Sequence, residues 1–240
     1  GSPLPPLRIL MAEDSLDNSV ILLAYLEDTP YRIDVAETGL RACQMFQEGR
    51  YDLVLMDRQM PVMDGLTATR TIRAWEIENG RPPTPIIALT ASALKGDRET
   101  CLAAGCTAYL TKPIKQEVLL QAIKDHSVVG PASEAKERGR ADAASHPMDP
   151  RFRDLIPKYL ENCRRDFVTM LTALAIGDFE KIAFIAHQMK GSGGAFGFQA
   201  LSDMGDVLEH AAEAADLDLS RKAVADFGEY LDGVRLALDS

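Results

Sequence analysis

The chain has 240 residues, of which 46% are hydrophobic, a composition that suits one or two folded domains and argues against intrinsic disorder. Its 36 acidic and 26 basic residues give a net charge of −10, so we expect no binding to nucleic acid or to anionic membranes. No apolar run approaches the roughly 20 residues of a membrane-spanning helix, so we expect no membrane contact by this segment.

The cysteines form no CxxC pair and no His/Cys cluster with zinc-ligand spacing. They are Cys43, Cys101, Cys106 and Cys163. We therefore expect reduced, buried thiols and a cytoplasmic location. Gly1-Ser2 resembles the remnant of a cloning site, so we expect the sequence to be a piece of a longer protein.

Residues 7–127 alternate short apolar runs with amphipathic stretches of helical period. The apolar runs are rich in Ile, Leu and Val, as strands are when both faces of a parallel sheet are buried. These runs are Leu7–Met11, Ile33–Ala36, Leu53–Met56, Ile86–Leu89 and Ala108–Leu110. Five βα units in a row predict a doubly wound α/β domain over residues 7–127.

Residues 128–147 are small, polar and without apolar periodicity, so we predict a flexible linker. Flexible-coil scaling gives a linker of this length a reach of roughly 25 Å. That reach permits, but does not require, two sites in one chain to meet.

Residues 148–240 contain no strand pattern and four helical ones. The predicted helices are Ile156–Ala175, Phe179–Gly191, Ala200–Ala215 and Ser220–Leu238. Gly177-Asp178 marks the first junction, with Asp178 as the N-cap, and Asp218-Leu219-Ser220 marks the last. Four antiparallel helices with short connections predict a four-helix bundle.

Reactive polar residues stand at the carboxyl ends of four predicted strands. They are Glu13-Asp14, Asp57, Thr90 and Lys112. Since ligand sites of open α/β sheets lie at that edge, we expect these side chains to converge on one pocket. Crowded carboxylates favour a divalent cation with oxygen ligands, such as Mg²⁺. Asp57 could then be the nucleophile of a phosphoryl transfer, with Thr90 and Lys112 binding phosphoryl oxygens.

The motifs at these strand ends resemble those of the bacterial response-regulator receiver family over roughly Leu7–Asp125. They are Glu13-Asp14, Met56–Gly65, Ala88–Ala91 and Thr111–Pro113. The resemblance implies a flavodoxin-like fold with Asp57 as the phosphoacceptor. It also implies that Mg²⁺ is held by Asp14, Asp57 and the backbone carbonyl of Gln59, with Glu13 acting mostly through water.

Thr90 and Tyr109 resemble the switch pair that reports phosphorylation in this family. The resemblance also implies a cis peptide bond at Lys112-Pro113. Asp64-Gly65 is interpreted as a turn that precedes a helix. Arg58 is either an exposed side chain or a group that steers the phosphodonor, and the first interpretation is slightly favoured.

In the helical half, His187, Lys190 and Gly191 share one helix face at spacings i, i+3 and i+4. A neutral imidazole is a good nucleophile towards phosphorus and a good leaving group. Lys190 can pair with phosphoryl oxygens, while Gly191 leaves room beside the ring and Ser192 can hydrogen-bond nearby.

This pattern resembles the His-x-x-Lys-Gly-[Ser/Ala] motif of histidine phosphotransfer (HPt) domains, over about Asp149–Leu238. The resemblance implies that His187 is the phosphorylated histidine. The other histidines, His126, His146 and His210, are interpreted as structural or incidental.

These resemblances imply a phosphorelay protein that is similar to the C-terminal part of a hybrid sensor kinase. Asp57 would accept a phosphoryl group from the phosphohistidine of a histidine kinase core. His187 would pass it to or from a receiver aspartate, in this chain or in a downstream response regulator. No segment resembles an ATP-binding kinase domain, so we expect no autophosphorylation from ATP.

Two other functions compete with the relay. In a regulatory binding module, phosphorylation of Asp57 would alter a binding surface and His187 would not be used. A Mg²⁺-dependent phosphohydrolase would also use Asp57 as its nucleophile. That class usually places an acid–base Asp two residues later, where this chain has Gln59, so it is disfavoured.

Overall fold

The computed structural model describes residues 5–91, 95–127 and 150–238. The predicted linker, with His146 in it, lies outside these residues. The described residues fall into two compact units, an α/β unit followed by a helical unit.

The α/β unit contains five strands and five helices in strict alternation. The strands are β1 Arg8–Ala12, β2 Arg32–Ala36, β3 Leu53–Asp57, β4 Ile86–Thr90 and β5 Ala108–Thr111. The helices are α1 Leu16–Leu26, α2 Gly39–Glu48, α3 Gly65–Glu78, α4 Lys95–Ala104 and α5 Gln116–Ser127. All strand pairs are parallel and the order is β2-β1-β3-β4-β5, which confirms the doubly wound fold.

Both faces of the sheet are buried, which explains why its central strands are apolar without alternation. Alternate strand residues such as Leu10, Val54 and Ile86 pack in one apolar cluster with α2 and α3. The intervening residues, among them Ile9 and Leu55, are equally buried and face the other side of the sheet. All five strands are thus fixed in register, and their carboxyl ends are aligned.

The turn between β3 and α3 is held against the end of β3. Asp64 is the N-cap of α3, since its carboxylate accepts a hydrogen bond from the backbone N–H of Thr67 at 2.9 Å. A Cβ atom on Gly65 would lie 1.9 Å from the carbonyl oxygen of Asp57. Only glycine allows this approach, which confirms that Asp64-Gly65 is a turn before a helix.

Gly65→Ala is therefore expected to destabilise the α/β unit by about 1–3 kcal/mol, because the added methyl group has no room beside Asp57. Urea unfolding followed by the fluorescence of Trp75, the sole tryptophan, measures this loss. Gly80→Asn is the control, since Gly80 has a φ of 60° and nothing within 4 Å of an added Cβ. Asparagine tolerates this left-handed conformation, so equal losses in the two variants would contradict the steric argument.

The helical unit begins with a short 3-10 helix, Pro150–Leu155, followed by four α-helices. They are α6 Ile156–Ile176, α7 Phe179–Ser192, α8 Gln199–Glu213 and α9 Leu217–Leu238. Each helix contacts the next, and α9 contacts α6, so the four close into a bundle as predicted. Tyr159 of α6 stacks on Phe196 with ring centroids 4.1 Å apart, deep in the core.

The first helix junction matches its prediction and the last one does not. Gly177 ends α6 with a φ of 72°, and Asp178 accepts a hydrogen bond from the N–H of Lys181. The prediction that α9 begins at Ser220 is wrong, because the helix already begins at Leu217. The carboxylate of Asp216 accepts a hydrogen bond from the N–H of Leu219 and so takes the capping role.

Among the described residues, no helix combines the length and the apolar character that a membrane span requires.

Candidate functional sites

The first candidate site lies at the carboxyl edge of the sheet, where the sequence predicted it. Glu13 follows β1, Asp57 is the last residue of β3, and Lys112 follows β5. The ammonium group of Lys112 lies 2.7 Å from a carboxylate oxygen of Glu13 and 2.9 Å from Oδ2 of Asp57. All three side chains are almost completely buried.

The Glu13 carboxylate is fixed from its other side by α1. Its Oε1 accepts hydrogen bonds from the side-chain amide of Asn18 at 3.1 Å and from the N–H of Ser15 at 3.3 Å. Ser15 is also the N-cap of α1. One short segment therefore starts the helix and orients a carboxylate of the site.

Burial raises the pKa of Asp57 well above its usual value, and the negative charges of Glu13 and Asp14 add to that shift. The positive charge of Lys112 opposes it. For Lys112, burial lowers the pKa, but attraction to Asp57 and Glu13 outweighs burial and raises it. Lys112 thus stays protonated, and its positive charge stabilises the negative charge of the buried carboxylates.

The carboxylates are also suited to a metal ion. Glu13, Asp14 and Asp57 each offer an oxygen, and these oxygens lie within 4.8 Å of one another. Oδ1 of Asp57 is buried without a hydrogen-bond partner among the described residues. Since buried carboxylate oxygens are normally paired, this atom has an open position for a cation or a phosphoryl group.

The predicted switch residues have different surroundings. Thr90 is buried at the end of β4, and Tyr109 is half-buried on β5 and packs against the apolar cluster. Gln59 is exposed and Arg58 is partly exposed in the loop after β3. The Lys112-Pro113 peptide bond is cis, as the resemblance implied.

Lys112→Met is expected to lower the free energy of unfolding of the α/β unit by about 3–5 kcal/mol in metal-free buffer, because it leaves buried carboxylates without their cation. The loss should shrink as the pH falls, since protonation removes the unpaired charge. Urea titrations followed by Trp75 fluorescence measure it. Arg8→Met removes an exposed ion pair with Asp34 and should cost no more than about 1 kcal/mol. A similar cost for both variants would contradict the importance of the buried cation.

The second candidate site lies between α7 and α8 of the helical unit. Nδ1 of His187 is 2.7 Å from Oε1 of Glu209, and Oε2 of Glu209 is 2.9 Å from the ammonium group of Lys190. Lys190 also lies 2.6 Å from the carboxylate of Asp206. The predicted pair His187 and Lys190 is thus brought together through a buried carboxylate.

Gly205 allows this contact because it lets the two helices approach closely. A Cβ atom at position 205 would lie 2.6 Å from the backbone nitrogen of Lys190 and 2.8 Å from the carbonyl oxygen of Ala186. Glu209 lies one helical turn after Gly205. The close approach of the two helix backbones brings its carboxylate to the imidazole.

The hydrogen bond to Glu209 determines which nitrogen of the imidazole carries the hydrogen. Burial raises the pKa of Glu209, but the hydrogen bond and charge of His187, and then those of Lys190, outweigh it and lower the pKa to about 2. A carboxylate ionised at neutral pH can only accept, so Nδ1 of His187 carries the hydrogen. In the neutral ring Nε2 is then the nitrogen with the free lone pair, and it has no hydrogen-bond partner among the described residues.

Sequence reasoning missed four residues of these sites, namely Ser15, Asn18, Asp206 and Glu209. A signal existed for Glu209, because it is a charged residue beside the buried positions Leu208 and Ala212 of an amphipathic helix. The remaining predicted features are less central. His210 is 65% exposed in its side chain, as expected, and Ser192 donates a hydrogen bond to the backbone of its own helix.

Glu209→Met is expected to shift the His187 imidazole towards the Nε2–H tautomer, because the acceptor that holds the hydrogen on Nδ1 is lost. The ¹⁵N chemical shifts of the two ring nitrogens at neutral pH report this change directly. Glu213→Met, on the exposed face of the same helix, is the matched control and should leave the tautomer unchanged. An unaltered tautomer in Glu209→Met would contradict the assigned role.

The two units match two protein families. The family described as response regulator receiver domain matches residues 9–124. The family described as Hpt domain matches residues 154–237. The first range contains the candidate site at the edge of the sheet, and the second contains the candidate site between α7 and α8.

Two proteins named as sensor proteins are similar to this chain. The aerobic respiration control sensor protein ArcB of Escherichia coli K12 is 32% identical over 86% of this chain, and the alignment covers 28% of ArcB. The sensor protein GacS of Pseudomonas syringae is 39% identical over 56% of this chain, covering 15% of GacS. The chain therefore spans less than a third of either relative.

A solved structure also resembles the chain. It is a co-crystal of the Saccharomyces cerevisiae histidine phosphotransfer protein Ypd1 with the receiver domain of its downstream response regulator Ssk1. The matched chain is 34% identical with a TM-score of 0.50, and the match covers 51% of this chain and 90% of that chain.

Proposed function

Because this chain belongs to the response-regulator receiver family in its first unit and to the Hpt family in its second, we propose a specific phosphorelay through Asp57 and His187. Asp57 accepts a phosphoryl group from the phosphohistidine of a histidine kinase core. His187 exchanges it with a receiver aspartate, either Asp57 or that of a downstream regulator. The observation that carries this proposal is that each site holds one buried atom without a hydrogen-bond partner among the described residues, Oδ1 of Asp57 in the first and Nε2 of His187 in the second. Each site also holds a lysine: Lys112 contacts the other carboxylate oxygen of Asp57, and Lys190 shares the Glu209 carboxylate with His187.

In the first step, an oxygen of Asp57 attacks phosphorus as the bond from phosphorus to the donor imidazole breaks. The product is an acyl phosphate, and the imidazole leaves with the electron pair of the broken bond. Lys112 already contacts Oδ2 of Asp57, so its ammonium group can follow the charge onto the phosphoryl oxygens. Thr90 supplies a hydroxyl at the same strand edge.

Mg²⁺ is the proposed cofactor of this step. Asp14 and Asp57 would hold the ion together with the backbone carbonyl of Gln59. Glu13 would act mostly through water, since its oxygens already accept hydrogen bonds from Asn18 and Lys112. The ion would neutralise charge on the phosphoryl group and favour the ionised form of Asp57.

In the second step, the lone pair of Nε2 on His187 attacks the phosphorus of the acyl phosphate. The P–O bond breaks, the carboxylate of Asp57 leaves, and the ring becomes a phosphorylated imidazolium that keeps its hydrogen on Nδ1. Glu209 stabilises that developing positive charge without moving a proton. Because Nε2 is shielded from solvent, the ring or the groups that cover it must shift before attack.

We also propose that the chain is part of a longer protein. ArcB and GacS are named as sensor proteins, and the chain aligns with less than a third of each. We infer a place within the cytoplasmic part of a hybrid sensor kinase whose catalytic core donates the phosphoryl group. A downstream response regulator receives it, and Thr90 and Tyr109 report the phosphorylation of Asp57.

A timed transfer assay tests this function with a ³²P-labelled small acyl phosphate and Mg²⁺. In the wild type, base-labile label on Asp57 should appear first and acid-labile label on His187 second. Asp57→Ala should abolish both labels, and His187→Ala should remove only the acid-labile one. Chelation of the metal should suppress labelling of Asp57.

His210→Ala is the control for the histidine, because its side chain is exposed and lies outside the bundle core. It should keep both labels. Label confined to Asp57 in the wild type would exclude transfer from Asp57 to His187. It would leave either the regulatory binding module or a bundle that serves the receiver of another protein.

A further inference from the structure

The ammonium group of Lys190 is held by two carboxylates in the resting structure. It lies 2.9 Å from Oε2 of Glu209 and 2.6 Å from Oδ1 of Asp206. Burial lowers the pKa of Lys190, but its hydrogen bonds to Asp206 and Glu209 outweigh burial and raise it. The ammonium group next to His187 is therefore already paired with two carboxylates before any phosphoryl group arrives.

The two carboxylates are not equivalent. The side chain of Glu209 is 8% exposed and shares its charge between His187 and Lys190. That of Asp206 is 50% exposed and makes no hydrogen bond to the imidazole. The other neighbour of Asp206 is His210, one turn later on the same helix and 65% exposed. Removing the charge of Asp206 thus leaves no buried group unpaired.

A phosphoryl group on Nε2 would change the charge balance of this cluster. Before transfer, Glu209, Asp206 and Lys190 sum to a net charge of −1. Addition of the phosphoryl group to His187 makes the net charge of the cluster more negative by one unit, and Lys190 supplies the positive charge next to it. Pairing of Lys190 with the phosphoryl oxygens would compete with its two carboxylates, and Asp206 is the one outside the hydrogen bond to the ring.

We propose that Asp206 is a positioning residue that acts through Lys190 and limits how stably the phosphoryl group resides on His187. This inference rests on the proposed function. By competing for Lys190 and repelling the phosphoryl oxygens, Asp206 makes the phosphohistidine a better donor. It thereby shifts the transfer equilibrium towards the receiver aspartate.

The transfer whose equilibrium is affected is the reverse of the second step described above. A carboxylate oxygen of a receiver aspartate attacks phosphorus, the P–N bond breaks, and its electron pair returns to Nε2. Nδ1 keeps its hydrogen throughout, and Lys190 returns from the phosphoryl oxygens to Asp206. No oxidant, reductant or additional reactant takes part.

The experiment compares the wild type with Asp206→Asn in the full chain, loaded with the ³²P-labelled acyl phosphate and Mg²⁺. The ratio of acid-labile to base-labile label at steady state should rise about threefold in Asp206→Asn, the size expected for one screened charge at a half-exposed site. Raising the salt concentration should shrink that difference, and Asp206→Glu should restore the wild-type ratio.

Asp203→Asn is the matched control, an exposed carboxylate one turn earlier on α8 that accepts a hydrogen bond from Gln199 and has no ion pair with Lys190. It should leave the ratio unchanged. In a Lys190→Met background, the effect of Asp206→Asn should be clearly smaller, since the proposed influence runs partly through the lysine.

The outcomes separate this inference from the proposed function. Absence of acid-labile label in the wild type would overturn the transfer from Asp57 to His187, the part of the proposed function on which the inference rests. Normal labelling with an unchanged or lower ratio in Asp206→Asn would overturn the inference alone. A salt-independent rise that Asp206→Glu does not reverse would assign the effect to packing and would also overturn it.

Discussion

The α/β unit depends on one buried ammonium group. Lys112 lies within hydrogen-bond distance of both Glu13 and Asp57, and the three side chains come from the carboxyl ends of three different strands. A carboxylate cannot stay ionised in such a place without a cation, and a lysine cannot stay protonated there without carboxylates. The strand ends converge so that the buried lysine and the buried carboxylates neutralise one another, and the same convergence forms the candidate site.

The helical unit reaches a similar arrangement with unrelated architecture. There too a buried carboxylate, Glu209, joins the reactive side chain to a lysine, Lys190. In both units the lysine is engaged with carboxylates at rest, so contact with a phosphoryl group is an exchange of partners. When a lysine exchanges a carboxylate for phosphoryl oxygens, the number of paired charges stays nearly constant. The phosphoryl group is then not bound so tightly that its onward transfer is prevented.

Sequence patterns predicted the fold and most reactive residues because both depend on local signals. Apolar runs located the strands, and the polar residues that follow them located the first site. The role of Glu209 depends instead on how closely two helices approach, which periodicity does not reveal. The predicted start of α9 was wrong because two residues of the segment are able to cap a helix. Asp216 is the one that caps it, and Ser220 lies buried within the first turns of α9.

Gly205 has a consequence for how reactivity can vary between related proteins. The absence of one carbon atom at this position sets the separation of α7 and α8, and so sets whether Glu209 meets the imidazole. A larger residue there would disturb the hydrogen bond between Glu209 and His187 while every charged group remained in the sequence. The surroundings of His187 thus depend on interhelical spacing, which is set at a position with no chemistry of its own.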